Sequence, residues 1–129
     1  MGNPHCVIFL DKTEGLQSFD VEKYGKAIEN HEIFPQKTNV EFVIIDSETK
    51  MHQRTWERGS GETLACGTGA SAVFSVGRKL GYFKDSATIN LLGGDLQMTW
   101  NADTSEVYKK GTAEIVFKGI YYYPKFEQY

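Results

Sequence analysis

Apolar residues along the chain fall into short runs of strand length and two longer stretches at helical spacing, which together predict the order of elements. Residues 5 to 10 form an apolar run that reads as a strand, followed by a turn over residues 11 to 15. Asp20 is a good N-cap for a helix over residues 21 to 31, because Val21, Tyr24 and Ile28 then share one face, and Pro35 stops it. Residues 39 to 46 and 51 to 58 read as paired strands joined by the polar turn Ser47-Glu48-Thr49-Lys50. A second helix spans residues 67 to 80, with Arg78 and Lys79 in its last turn and Gly81 just beyond. Strands at 87 to 92 and 95 to 100 flank Gly93-Gly94, a hairpin signal, and runs at 106 to 109 and 113 to 123 complete the set.

The second helix lacks one wide polar face. Ala65, Ala70, Ala72, Val73, Phe74, Val76 and Leu80 spread around its axis, and a helix apolar on most sides is buried on most sides. Strands wrapped around it would satisfy that requirement. Pattern alone goes no further than an α+β domain.

Length and charge narrow the function classes. The 129 residues make one domain, with no linker, repeat or low-complexity stretch. A hydrophobic share of 40% with 13% aromatic residues fits a globular protein. The net charge of -3 gives nucleic acid no electrostatic footing. No run approaches the roughly 20 apolar residues of a membrane-spanning helix, and the first residues lack a secretory signal, so no membrane partner is expected. Cys6 and Cys66 supply neither a disulfide framework nor zinc-ligand spacing. The expected setting is a reducing cytoplasm, without a metal.

The chemistry concentrates in the segment from Glu57 to Ala70, which reads ERGSGETLACGTGA. It is a strand, a glycine turn and a helix with Cys66 at its mouth. The first amides of a helix have no internal partners and carry the positive end of its dipole, so a thiol there ionises more easily and an anion can dock beside it. Cysteine in a Gly/Ala-rich run is otherwise a small buried apolar residue. Gly67 and Gly69 are poor helix formers, so bare backbone must serve something there, either close approach of a ligand or close packing of the helix inside a sheet.

That segment, together with MGNPHCVIF at the start and FPQKTNVEFV at residues 34 to 43, resembles the C-terminal half of the diaminopimelate epimerases, cofactor-independent amino-acid epimerases. The motifs stand in the family's order, and the likeness continues through LGGDLQMTW and AEIVFKG. Gly111-Thr112-Ala113 departs from the family's Gly-Pro-Ala. A larger departure is that nothing here matches the family's N-terminal half, which carries its own cysteine. The resemblance implies a curved, mostly antiparallel sheet around a central helix, with the whole chain, residues 1 to 129, as the C-terminal lobe.

It also implies a reaction. Two cysteines on opposite faces of an α-carbon exchange its proton, one as thiolate and one as thiol, interconverting LL- and meso-diaminopimelate. No lysine lies in the motif to hold a pyridoxal electron sink, and no cofactor is expected. Cys66 is the thiol on this chain, and Gly67 and Thr68 offer N–H groups to the substrate carboxylate. His5 and Glu57 are the positions that tune the thiols. Glu57 and Arg58 suit the ammonium and carboxylate of the distal end, and Asn3 and Asn39 complete the binding set. Cys6, on the opposite face of its strand from His5, is read as a packed or surface thiol. His31 and His52 have no role.

The partners implied are diaminopimelate and an N-terminal epimerase half, without which the chain is expected to be inactive, its Cys66 open to solvent and its uncovered apolar surface prone to self-association. Three alternatives stand beside this reading: a related racemase or isomerase of the same fold, a noncatalytic amino-acid-binding domain, and a Cys66–His5 hydrolase lacking an evident third residue.

Overall fold

The computed structural model describes residues 2 to 12 and 15 to 123. The elements in chain order are β1 (His5–Phe9), α1 (Val21–Glu29), β2 (Asn39–Ser47), β3 (Lys50–Glu57), β4 (Gly61–Thr63), α2 (Gly67–Lys79), β5 (Ser86–Leu91), β6 (Gly94–Asn101) and β7 (Glu106–Lys110). The seven strands form one sheet in the order β1-β2-β3-β5-β6-β7, with β4 paired to β3. β1 is parallel to β2 and β3 to β5, and the other pairs are antiparallel. α2 touches β1 and β2 at one end of this order and β6 and β7 at the other, which requires the sheet to curve around it. This is the expected mixed, mostly antiparallel sheet enclosing a central helix.

Both faces of β2 are covered, so its first six residues are buried. Val43, with Met51 of β3, Ile89 of β5 and Met98 of β6, packs on Ala70, Val73 and Phe74 of α2. Val40 and Phe42 point the other way and meet Val21 of α1, with Cys6, Ile8, Ile28 and Trp56 around them. The period of two therefore sends Glu41, between Val40 and Phe42, to the α2 side.

Several expectations change. α1 ends at Glu29 rather than 31, because Asn30 caps it and returns its side-chain amide to the Lys26 carbonyl before Pro35 is reached. Its inner face is Val21, Gly25 and Glu29, while Tyr24 is exposed. Gly25 lets the helix sit directly on the Trp56 ring, and Glu29 is buried with the Trp56 indole N–H donating to it at 2.7 Å and the Gly59 amide at 3.1 Å. The β5–β6 hairpin turns at Leu92-Gly93, one residue earlier than predicted, since Leu91 pairs with Gly94. β4 is an additional strand. The predicted strand at 113 to 123 is absent: described residues beyond β7 have no regular structure, and Ile115, Phe117 and Tyr122 lie open. A strand needs a neighbour to take its backbone groups, and the described strands end at β7. The predicted turn at 11 to 15 includes residues 13 and 14, which lie outside the described residues.

Candidate active site

Cys66 is the N-cap of α2. Its backbone is extended (φ -132°, ψ 106°), its carbonyl accepts from the Ala70 amide at 2.9 Å, and its sulfur accepts from the Gly69 amide at 3.4 Å. A small polar atom at this position answers one of the helix's otherwise orphaned donors, as Ser or Asp would. The Thr68 hydroxyl lies 3.4 Å from the same sulfur. No described group accepts from the amides of Gly67 and Thr68, which remain directed out of the helix end.

Cys66 is not open to solvent, contrary to expectation. It is 6% exposed, because the sulfur turns back under the first turn rather than projecting from it. The two glycines of the motif turn out to have different reasons. A Cβ on Gly69 would lie 2.6 Å from Glu41 Oε1 and 3.3 Å from Gln53 Nε2, so this residue lets the helix end press onto two buried polar side chains of the sheet. Gly67 instead faces the ammonium of Lys109 on β7. The motif contains no lysine, yet the curve of the sheet brings one to the residue after Cys66.

The remaining residues knit separate segments to this helix end. Asn3 donates to the Thr68 hydroxyl at 3.3 Å. Asn39, at the start of β2 and buried, donates to the Pro4 carbonyl at 3.0 Å and accepts from the Arg58 amide at 2.9 Å. Its side chain thus spans the strand entries on either side. Glu57 closes β3 and accepts from the Thr63 hydroxyl at 2.7 Å, while the exposed Arg58 donates from Nη1 to the Gln36 carbonyl at 2.8 Å. Cys6 is half-buried on the α1 side of the sheet, and burial followed by the Glu41 charge pushes its thiol pKa up. His31 accepts from the Ile33 amide and His52 pairs with Asn90, so neither joins the site.

His5 is the residue whose setting the sequence concealed most. Its Nδ1 lies 2.7 Å from Glu41 Oε1, with the two side chains 5% and 0% exposed. Burial lowers the His5 pKa, with the Glu57 charge opposing. Burial, and then the charge of Glu57, raises that of Glu41 to about 8. Glu41 therefore orients His5, as the third residue of a Cys-His hydrolase would. However, the Cys66 sulfur is bonded to Gly69 and Thr68 and not to His5, so a nucleophile–base pair is not assembled. A cleft of about 550 Å3 lined by Leu16, Ile44, His52, Arg54, Asn90 and Leu92 includes no residue of the cysteine motif.

No group of three or more His, Cys, Asp or Glu among the described residues could hold a metal ion. No helix of the described residues is long and apolar enough to cross a membrane.

Both the fold and the sequence have counterparts among known proteins. In solved structures the fold recurs in a PhzF-family phenazine biosynthesis protein of Bacillus anthracis, with TM-score 0.59 and 22% identity over 84% of this chain and 34% of that one. A PhzF-family protein of Enterococcus faecalis matches with TM-score 0.58 and 19% identity, over 78% of this chain and 35% of that one. In sequence, the chain is 54% identical over 122 residues to the diaminopimelate epimerase of Carboxydothermus hydrogenoformans, covering 95% of this chain and 43% of that protein. It is 49% identical to that of Desulforapulum autotrophicum, covering 92% and 41%. The chain thus spans less than half the length of these relatives. Residues 1–116 match the family model for diaminopimelate epimerase, and the chain belongs to the diaminopimelate epimerase family.

Proposed function

We propose that this chain is the C-terminal catalytic half of a cofactor-independent epimerase interconverting LL- and meso-diaminopimelate. The observation that carries the reading is Cys66 at the N-cap of α2, held by Gly69 and followed by two amides with no described acceptor. Substrate carboxylate docking on the Gly67 and Thr68 amides sets the α-carbon beside the sulfur. Charge that builds on the carboxylate as the proton leaves then meets fixed donors rather than reorganising water. Cys66 as thiolate takes the α-hydrogen as a proton, leaving the electron pair on carbon, and a thiol on the other face returns a proton to that pair. For the opposite stereoisomer the two exchange roles. Glu57 and Arg58 receive the distal ammonium and carboxylate, Arg58 by turning its guanidinium from the Gln36 carbonyl, and Asn3 and Asn39 hold the walls together.

These 129 residues supply one thiol of the pair, since Cys6 packs on the far face of the sheet. The opposing thiol belongs to an N-terminal lobe. The chain alone therefore gives no epimerase turnover, and mixing it with the N-terminal lobe of the Carboxydothermus relative restores activity. The test is deuterium incorporation from solvent at the α-carbon of diaminopimelate, with Cys66→Ala as control. Exchange by the mixture that Cys66→Ala abolishes is the expected result. Exchange that survives Cys66→Ala, or full turnover by the chain alone, would refute the two-thiol assignment.

A further inference from the structure

The His5–Glu41 pair lies beneath the Cys66 helix end, and three of the polar atoms buried there are without a partner: His5 Nε2, Glu41 Oε2 and Gln53 Oε1. Gln53 does not relieve Glu41, because its amide donates to the Thr55 hydroxyl at 2.9 Å instead. Gly69 of α2 sits directly over the pair: its missing Cβ is what admits Glu41 Oε1 under the helix, and its amide holds the Cys66 sulfur. We propose that Glu41 is a positioning residue of this site: it shares one proton with Nδ1 of His5 and thereby keeps a second proton on Nε2, so that the imidazole enters the site as an N–H donor.

Counting protons shows why. If the shared proton sits on Glu41, the imidazole is neutral with its own proton on Nε2. If it sits on Nδ1, the imidazole is a cation and Nε2 is again protonated. Both forms have zero net charge, which burial favours. Only when the pair loses one proton does Nδ1–H face a carboxylate and Nε2 present a lone pair. That form carries a net negative charge, and no arginine or lysine among the described residues is bonded to Glu41. The charged and titratable groups that bear on the pair include Glu57 on β3, the positive charge of the chain's N-terminus, which lowers His5, Cys6 on β1, Cys66 at the start of α2 and Lys109 of β7 against Gly67. Glu57 opposes the extra negative charge. Burial and Glu57 together raise Glu41 to about 8, consistent with a pair that keeps its two protons at neutral pH.

His5 as a site residue rests on the proposed epimerase reading, but the proton arrangement does not. The experiment is a titration of the ring nitrogens of His5 by 15N–1H long-range correlation on the 129-residue chain between pH 6.5 and 9.5. The expected result is a protonated Nε2 at pH 6.5 and its loss in a transition near pH 8. In Glu41→Gln the amide either donates to Nδ1 or accepts from it, so Nε2 holds one state throughout and the transition disappears. Cys66→Ala keeps the transition. A bare Nε2 at pH 6.5, no transition in the unmodified chain, or a transition that survives Glu41→Gln would each overturn the proposal. The unmodified chain decides the first two whether or not the variant folds. A positive titration with failed deuterium exchange would sink the epimerase reading and leave Glu41 in place, and the reverse pattern would do the opposite.

Discussion

Replacing Gly69 by Ala adds one methyl at the most confined point of the site. It would lie 2.6 Å from Glu41 Oε1, 3.2 Å from Glu41 Cγ and 3.3 Å from Gln53 Nε2, and both side chains are almost wholly buried. Neither can swing into solvent, and Glu41 is also tied to His5. Overpacking of this kind costs about 1–3 kcal/mol, against a helix-propensity gain of at most ~1 kcal/mol for Gly→Ala. The net expectation is a loss of about 1–2 kcal/mol, seen as a Tm lowered by roughly 3–10 °C for a domain of this size. Gly67→Ala is the matched control. Its methyl meets only the flexible end of Lys109, which can move aside, so stability should stay within about 0.5 kcal/mol. Urea unfolding of the two variants beside the parent, followed by tryptophan fluorescence, measures the difference. If Gly69→Ala proves as stable as Gly67→Ala, close packing on Glu41 is not why a glycine stands there.

Other perturbations test separate parts of the site. Lys109→Met removes the ammonium beside Gly67, so labelling of Cys66 by anionic iodoacetate should slow about two- to fivefold relative to neutral iodoacetamide, and added salt should shrink the effect in the parent. Asn39→Ala strands the Arg58 amide, while the Pro4 carbonyl keeps the backbone amide of residue 39 at 3.2 Å, and should cost about 1–3 kcal/mol by chemical denaturation. Glu29 is held below its ordinary value, chiefly by the Trp56 hydrogen bond, so its contribution is present above pH 4.5 and is lost as pH falls through the lower folded-state value. Glu29→Gln should flatten that acid limb. Glu41 has the opposite sign: its raised value makes its contribution full below pH 4.5 and lost as pH rises toward about 8, a slope that Glu41→Gln should remove. On the proposed function, Arg58→Lys in the chain combined with an N-terminal lobe should raise KM for diaminopimelate, and an unchanged kcat/KM would remove Arg58 from the distal site.

Features set by neighbours in sequence were legible beforehand. Asp20 caps α1 through the Lys23 amide, the α2 limits follow from the Cys66-Gly67 entry and the Arg78-Lys79 exit, and β2 and β3 pair about the polar turn between them. What the sequence hid depends on distant partners. Nothing near Glu29 in sequence marks it as buried, because the groups that satisfy it, Trp56 and Gly59, come from β3 and the turn after it. Glu41 is a single charged position among apolar neighbours in β2, and only the parallel pairing of β1 and β2 brings His5 to it. Lys109 reaches the cysteine motif only through the curvature of the whole sheet. At 113 to 123 the apolar spacing is that of a strand, but spacing cannot supply the neighbour that a strand requires.

The site's hydrogen bonds also make it a clock for folding. Asn3 reaches Thr68 across 65 positions, Asn39 reaches Pro4 across 35, and Arg58 reaches Asn39 across 19. Each of these bonds closes a loop, and closure entropy must be met before a single weak contact can hold it. The Arg58–Asn39 bond can form with the β2–β3 hairpin, but the other two wait for the parallel β1–β2 pairing, a nonlocal contact of the kind that slows folding. The local partners of the Cys66 sulfur come with α2, but the Asn3 contact that ties Thr68 to the start of the chain is completed late, after the hairpins have formed. Formation of that contact during refolding would report the last closure of the chain, and its loss would be an early sign of unfolding from the same end.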